Sequence, residues 1–367
     1  MGSLWSHIHI DEHFVTSQYS SDMGQRIALW LRRSNGASLS LRFVSGGFER
    51  SNLQPIISLL QPHMPEVTSL IFYKASDQLV HAVFTLYGAC SPSTPLVTLV
   101  VVDMHRILAA RRLTWPIDNI RGLRMLVLCG PPNLHAPNFD ELAQILLNNP
   151  DLHTLRIRHY ISALSRGNSH PRAIVRNLKV LEFEYDGPPS LVPEKLLSIL
   201  EPGINELDFV CKLPDNPNPM FFQATQEFLE RANVTGLELK NLHPQYMGQE
   251  VSRYLDRTPH LQVLRLDFAA RNNDSSSLDV LTATNDDGET RARCPNLWTL
   301  MISNVTMSLE AQAKLKRIVE VHHLSKLVLA YGSIIRSGGA MSNSEEFLDW
   351  LHQRIPTFIH LDPDVGF

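Results

Sequence analysis

Leu152-His153-Thr154-Leu155-Arg156-Ile157 and Leu178-Lys179-Val180-Leu181-Glu182-Phe183 are two copies of one phrase, L-x-x-L-x-L in outline, and they decide how the chain reads. The phrase recurs upstream as Val67-x-x-Leu70-x-Phe72, Leu96-x-x-Leu99-x-Val101 and Leu123-x-x-Leu126-x-Leu128. Downstream the same frame starts at Ile204, Val234, Leu261, Leu297 and Leu324. A return about every 26 to 30 residues marks an array in which each unit is one supersecondary element. The last residues of each phrase alternate as a strand does, whereas the segment behind has helical spacing. Phe139, Leu142, Ile145 and Leu146 follow Leu128, and Leu191, Leu196, Leu197 and Leu200 follow Phe183. One strand and one helix cannot bury their apolar sides alone, so each unit requires its neighbours. The expected fold is α/β, a right-handed solenoid with parallel strands on the concave face and helices on the convex face. The competing architecture, an ordinary doubly wound sheet, predicts irregular unit lengths.

The repeats carry their own punctuation. Pro150-Asp151-Leu152, Pro259-His260-Leu261 and Pro295-Asn296-Leu297 place a proline where the preceding helix must stop. Asp140, Ser308 and Ser344 precede glutamate-containing helical runs and are the expected caps. The ninth position of each phrase, often Asn or Cys in regular leucine-rich repeats, holds Ala75, Met104, Pro131, Tyr160, Asp186 and Lys212. The side-chain ladder of that edge is therefore expected to be missing, with uneven curvature. From Leu261 to Leu297 the interval lengthens by roughly eight residues over its neighbours. The extra material is polar, Arg271 to Ser277 and Asn285 to Glu289, so an insertion near 270–292 is expected to loop off the array. Residues 1–45 read as an N-terminal capping segment and residues 46–367 as an irregular leucine-rich-repeat solenoid.

With 367 residues, 44% of them hydrophobic, the chain can bury a long core, and a repeat array escapes the size limit of a single globular core. A formal net charge of -4 gives no reason to expect nucleic acid or an anionic membrane as a partner. No apolar stretch reaches the roughly 18 residues that a membrane span needs, and Met1 to Asp11 lacks a basic region followed by an apolar run. The expected location is the cytosol or nucleus. Cys90, Cys129, Cys211 and Cys294 lie far apart with no C-x-x-C pair, which reads as reduced structural thiols.

Alternation assigns the residues of the concave surface. The fifth position of each phrase gives Ile71, Val100, Val127, Arg156, Glu182, Asp208, Glu238, Arg265, Met301 and Val328. The seventh adds Arg158, Glu184, Lys240 and Asp267, and the third adds Glu206. The middle of this surface is charged and both ends are apolar. Stacked Glu182, Asp208 and Glu238 would repel by roughly 1 kcal/mol per facing pair in water unless Arg156 and Arg265 cap the row. Two readings follow: a self-neutralised strip of surface ion pairs, or a recognition surface for a peptide or protein bearing Lys or Arg, with Arg156 and Arg158 taking an acidic group. At the apolar end Ile71, Val100, Val102, Met125 and Val127 make an interface-sized patch unless the N-terminal region folds over it.

Leu4-Trp5-Ser6-His7-Ile8, then Ile27-Ala28-Leu29-Trp30-Leu31-Arg32-Arg33-Ser34 and Leu39-Ser40-Leu41, followed by loose repeats with phrases such as Cys294-Pro295-Asn296-Leu297, resemble F-box-like leucine-rich-repeat proteins of mushroom-forming fungi. The similarity covers most of the chain. In that family an F-box helical bundle precedes this point and recruits the adaptor of a cullin-type ubiquitin ligase. Here the sequence starts at the Leu-Trp phrase. The resemblance therefore implies a non-catalytic substrate-recognition region, with the ligase adaptor as a partner only where an F-box is restored. A small-GTPase regulator or a ribonuclease-inhibitor-like scaffold is the alternative from another class.

Enzyme readings are weak. His7-x-His9 places two imidazoles on one strand face, a metal-ligand spacing, but further ligands from a βα barrel are needed and the repeat pattern supplies none. There is no G-x-S-x-G, G-x-x-x-x-G-K-[ST] or H-E-x-x-H, and neither a cofactor nor a metal is expected.

Overall fold

The computed structural model of the protein describes residues 6–11, 20–44, 53–90, 95–103, 113–130, 136–158, 171–184, 192–214, 219–243, 247–269, 275–284, 290–305, 307–330 and 341–361. The chain divides into two compact units, Met1–Glu182 with Ser190–Gly203, and Phe183–Pro189 with Ile204–Phe367.

In the first unit the phrase residues form parallel strands paired in chain order: β1 (His7–Asp11), β2 (Leu39–Val44), β3 (Val67–Tyr73), β4 (Thr98–Val102), β5 (Met125–Cys129) and β6 (Thr154–Arg158). A short strand β7 (Ala173–Val175) lies before β8 (Val180–Glu184), which sits beside β6, and β7 pairs in parallel with β9 (Leu200–Pro202). Helices α1 (Ser20–Ser34), α2 (Gln54–Leu60), α3 (Asp77–Ala89), α4 (Phe139–Leu147) and α5 (Val192–Ile199) intervene. In the second unit β10 (Leu207–Lys212), β11 (Val234–Leu242) and β12 (Val263–Phe268) are parallel neighbours. Beyond the antiparallel hairpin β13 (Thr282–Thr284) and β14 (Thr290–Ala292), the parallel order resumes with β15 (Thr299–Ser303), β16 (Lys326–Ala330) and β17 (Thr357–Leu361). Its helices are α6 (Pro219–Arg231), α7 (Ser252–Asp256), α8 (Leu309–His322) and α9 (Met341–Arg354). Parallel strands joined through helices at the repeat period are the architecture of an α/β leucine-rich-repeat solenoid. Among the described residues no helix is long and apolar enough to cross a membrane.

The leucines anchor the strands to the helices. Leu70 and Phe72, Leu99 and Val101, Leu126 and Leu128, Leu155 and Ile157, and Leu300 and Ile302 are all essentially inaccessible. Each such side chain contributes about 1.5–3 kcal/mol of transfer free energy, so the pairs supply the main driving force for stacking. Aromatic contacts show which face the helices take. Phe43 stacks on Phe72 at 5.2 Å, Phe72 meets Phe84 of α3 edge-on at 5.6 Å, and Phe209 of β10 meets Phe228 of α6 at 5.3 Å. The opposite face carries the exposed and half-exposed positions, although Val127, Glu182, Glu184, Val210 and Val328 are buried there as well.

Several local expectations need correction. The cap of α4 is Asn138, which accepts from Glu141 N while Glu141 returns a bond to Asn138 N; Asp140 lies inside the first turn. Ser308 does cap α8, accepting from Ala311 N, but Ser344 lies within α9. Ile204 is not an anchor at all, being 93% exposed, and Leu207, Phe209 and Cys211 carry that role in β10. The eighth position, rather than the ninth, supports the strand exits. Lys74, Asp103, Gly130, Asn241 and Asn304 all have positive φ there. The amides of Lys74, Asp103, Gly130 and Asn304 donate to the carbonyls of Val102, Cys129, Arg158 and Ala330 on the next strand. Polar rungs also occur before the strand. Buried Asn149 accepts from Leu123 N at 2.7 Å and donates to Ile120 O and Ile145 O, while Asn119 donates to the carbonyls of Tyr87, Gly88 and Cys90. The polar runs of the 270–292 insertion lie mostly outside the described residues, as do Pro131, Tyr160 and Asp186.

The base of the β13–β14 hairpin is held by His322, the last residue of α8. Its ring is buried, with Nε2 2.7 Å from Leu281 O and Nδ1 3.1 Å from Cys294 O, one carbonyl on each side of the β13–β14 hairpin. Burial lowers the imidazole pKa from 6.5, and neighbouring His323 lowers it further, whereas the two carbonyls offset part of that shift.

Two stability predictions follow from these rungs. Asn149→Ala leaves three buried backbone groups without their partner and should cost about 3 kcal/mol, read from the denaturant midpoint of the first cooperative transition. For His322 the folded pKa lies below the unfolded one, so the unfolded chain binds the extra proton. Its contribution is complete above about 6.5 and is lost as pH falls from there toward the folded value. Thermal denaturation at pH 7.5 and 5.5 should therefore show a smaller acid-induced drop in His322→Gln than in the parent.

Candidate functional site

The sheet face opposite the helices holds the charged residues named above, and strand registers set their order. In the first unit His9, Arg42, Ile71, Val100, Val127 and Arg156 lie side by side, one from each of β1 to β6. The apolar patch is thus not an end of the surface: Arg42 closes it on one side and Arg156 on the other. Arg42 was missed by the phrase reading because β2 has only the Leu39-x-Leu41-x-Phe43 half of the motif, although that alternation already placed Arg42 outward. The described N-terminal elements do not fold over the patch; β1 instead pairs at the edge beside β2.

Glu182 is paired inside this surface rather than offered by it. Arg156 Nε lies 3.2 Å from Glu182 Oε2, and Arg158 donates to Glu182 Oε1 through Nε at 2.9 Å and through a second guanidinium nitrogen. The two guanidinium groups are nearly half exposed while the Glu182 side chain retains 6% of its accessibility. Two cations thus enclose one carboxylate.

In the second unit the register departs from expectation. A bulge between Leu207 and Asp208 places Asp208 opposite Gly236, and Val210 stands opposite Glu238. The row therefore runs Val210, Glu238, Arg265, Met301, Val328 and Ile359. Asp208 and Glu238 are not stacked, and the repulsion expected between them is relieved by that offset. Gly236 explains how Asp208 still finds a cation. A Cβ on Gly236 would stand 2.3 Å from Asp208 Oδ1, so the missing side chain is the space through which the carboxylate crosses β11. It reaches Arg265 at 3.2 Å, and Arg265 also faces Glu238 at 3.7 Å. Lys240 binds Glu184 at 2.5 Å and stands 3.6 Å from Glu238. Asp267 accepts from Asn304 Nδ2 at 2.6 Å, and Glu206 is exposed ahead of β10. Among the described residues the carboxylates Glu184, Glu206, Asp208, Glu238 and Asp267 stand against the cations Lys212, Lys240, Arg265 and Lys326, a small acidic excess. The pairs are part-exposed, so each is worth little to stability; their use is to set the sign of the local potential.

The reactive groups described near this surface include buried thiols and the histidines of β1. Cys211 is buried behind it, and burial together with the charge of Glu184 pushes its thiol up to about 12, so it remains protonated and serves as an apolar anchor. Burial likewise lifts Cys294 to about 12. His7 and His9 do share the exposed face of β1, yet among the described residues no group of three His, Cys, Asp or Glu is placed to hold a metal ion.

The Gly236 gap makes a prediction of its own. A double-mutant cycle between Asp208 and Arg265 should give about 0.5 kcal/mol of coupling in the parent. The same cycle in a Gly236→Ala background should give none.

No family model matches this chain, and no curated protein matches it either. Among solved structures it is similar to the leucine-rich repeat-containing protein LegL7 from Legionella pneumophila, at 14% identity and a TM-score of 0.39, over 96% of this chain and 90% of that one.

Proposed function

We propose that this protein is a non-catalytic protein-recognition scaffold whose ligand-bearing surface is the sheet face opposite the helices. One observation carries the reading: that face carries charged side chains of both signs among apolar ones, set at fixed spacing by the strand ladder and free of any covering helix among the described residues. Such a surface discriminates partners by charge sign and position, and costs no reorganisation of the backbone. In this reading Glu206, Asp208, Glu238 and Asp267 favour a segment bearing Lys or Arg, Lys240 holds buried Glu184 and with Arg265 keeps the acidic strip from self-repulsion, and Arg156 with Arg158 takes an acidic group. In this reading the described elements of residues 1–45 cap the array, with the short edge strand β1 presenting polar His7, His9 and Asp11, a composition that discourages edge-to-edge pairing.

The resemblance of the Leu4-Trp5-Ser6 and Leu29-Trp30-Leu31 phrases to F-box-like proteins supports a more specific assignment: the substrate-recognition region of a cullin-type ubiquitin ligase component. Sequencing the transcript upstream of the Met1 codon tests it. An in-frame helical bundle whose longer product co-purifies with the ligase adaptor is expected, and an in-frame stop codon directly upstream overturns it.

Recognition itself is tested with a labelled synthetic peptide of alternating Lys and Leu. The parent should bind it, and Glu206→Lys with Glu238→Lys should weaken binding about tenfold or more, because two attractive contacts become repulsive. Equal affinity of parent and variant, with unchanged circular dichroism, removes the acidic strip from the reading.

A further inference from the structure

The geometry points to the open sheet face of the first unit as a docking surface for an acidic amphipathic helix of a partner protein. The helix crosses the strands with its apolar stripe on half-buried Ile71 and Val100 and exposed Tyr73 and Met125, over buried Val127, and a carboxylate near each end on Arg42 and Arg156. The inference rests on the recognition-scaffold reading and adds the chemistry of one occupant.

The row itself specifies the ligand. Arg42, Ile71, Val100, Val127 and Arg156 are successive register partners, so one cation, three aliphatic side chains and a second cation are spaced at about 4.8 Å and span about 19 Å. The patch is widened by Tyr73, Val102 and Met125, of which Tyr73 and Met125 are each 38% exposed. Lys74 places its ammonium 5.5 Å from the centre of the Tyr73 ring and adds a third cation at the rim. Arg42 is exposed, and no ion pair or hydrogen bond of its side chain is seen among the described residues. Against these stand Glu182, already enclosed by Arg156 and Arg158, Asp103 at the exit of β4 and Asp11 on the edge strand. The balance favours an anionic ligand.

Backbone satisfaction selects a helix over an extended peptide. Aliphatic side chains offer no hydrogen bonds, so an extended segment pressed on them would bury unsatisfied amides and carbonyls, whereas a helix satisfies its own. At 1.5 Å per residue the distance between the two arginines corresponds to about 13 residues, and at 3.6 residues per turn the nearest spacing that returns to the same side of the helix is about 14, which sets the separation of the two carboxylates in the ligand.

Titration of the full chain with a synthetic helix-forming peptide tests this. The peptide has a Leu/Ile stripe and, on the same side, Glu residues about 14 positions apart, and its counterpart has Lys in place of Glu. The Glu peptide should bind at least about tenfold more tightly than the Lys counterpart, with affinity falling as salt rises. Arg42→Glu should abolish that preference and Arg42→Lys should keep most of it; Arg42 is exposed, so folding is spared. No preference for the Glu peptide, or a preference indifferent to Arg42→Glu, overturns the inference. The alternating Lys-Leu peptide is titrated into the same samples. If it binds and depends on Glu206 and Glu238 while the Glu helix fails, only this inference falls; if neither binds, the recognition-scaffold reading falls with it.

Discussion

Most strands of the main sheet present two aliphatic or aromatic side chains to the helical side and can bury them only if their neighbours are in place. Leu99 and Val101 are sealed by β3 and β5 on either side and by the helical layer beneath, and the same holds for Leu126 and Leu128. Because strand alternation is strict, burying those residues forces the intervening ones outward. The charged and apolar rows of the open face are therefore a by-product of core packing, and their spacing is held by the hydrogen-bond ladder rather than by the side chains themselves.

That coupling explains what could be read in advance. The fold was legible because the leucine period repeats in a frame that few other architectures tolerate, and the helical spacing behind Leu128 found its counterpart in buried Phe139, Leu142, Ile145 and Leu146. The outward positions were legible wherever the frame held. It failed at β10, where Ile204 resembles an anchor in the sequence but is exposed, and a bulge shifts Asp208 into the row of Gly236. A one-residue bulge leaves no mark in the leucine count, so the misplacement of Asp208 beside Glu238 could not be detected from periodicity. The helix cap was misplaced for a related reason. Asn138 and Asp140 are both good capping residues, and only the reciprocal bond with Glu141 chooses between them.

Pairing within the charged surface is denser than one-dimensional reading suggests. Side chains reach across strands, as Asp208 does over Gly236 to Arg265, and enclose one another, as Arg156 and Arg158 do around Glu182. Most of the acids are therefore neutralised locally, and what distinguishes one unit from the other is the sign of the small remainder. The unpaired sequence list overstates the acidity of the middle of the chain and overlooks Arg42, whose strand carries only half of the phrase.

The left-handed residues at the strand exits have a wider consequence. Lys74, Asp103, Gly130, Asn241 and Asn304 turn the chain away at the same point of each repeat, and four of those amides hold the next strand through the main chain. Whatever follows is thereby insulated from the sheet: connections of very different length and composition can be exchanged at these junctions without altering which side chains line up. Such a junction lets a lineage diversify its loops freely while the ruler beneath them stays unchanged.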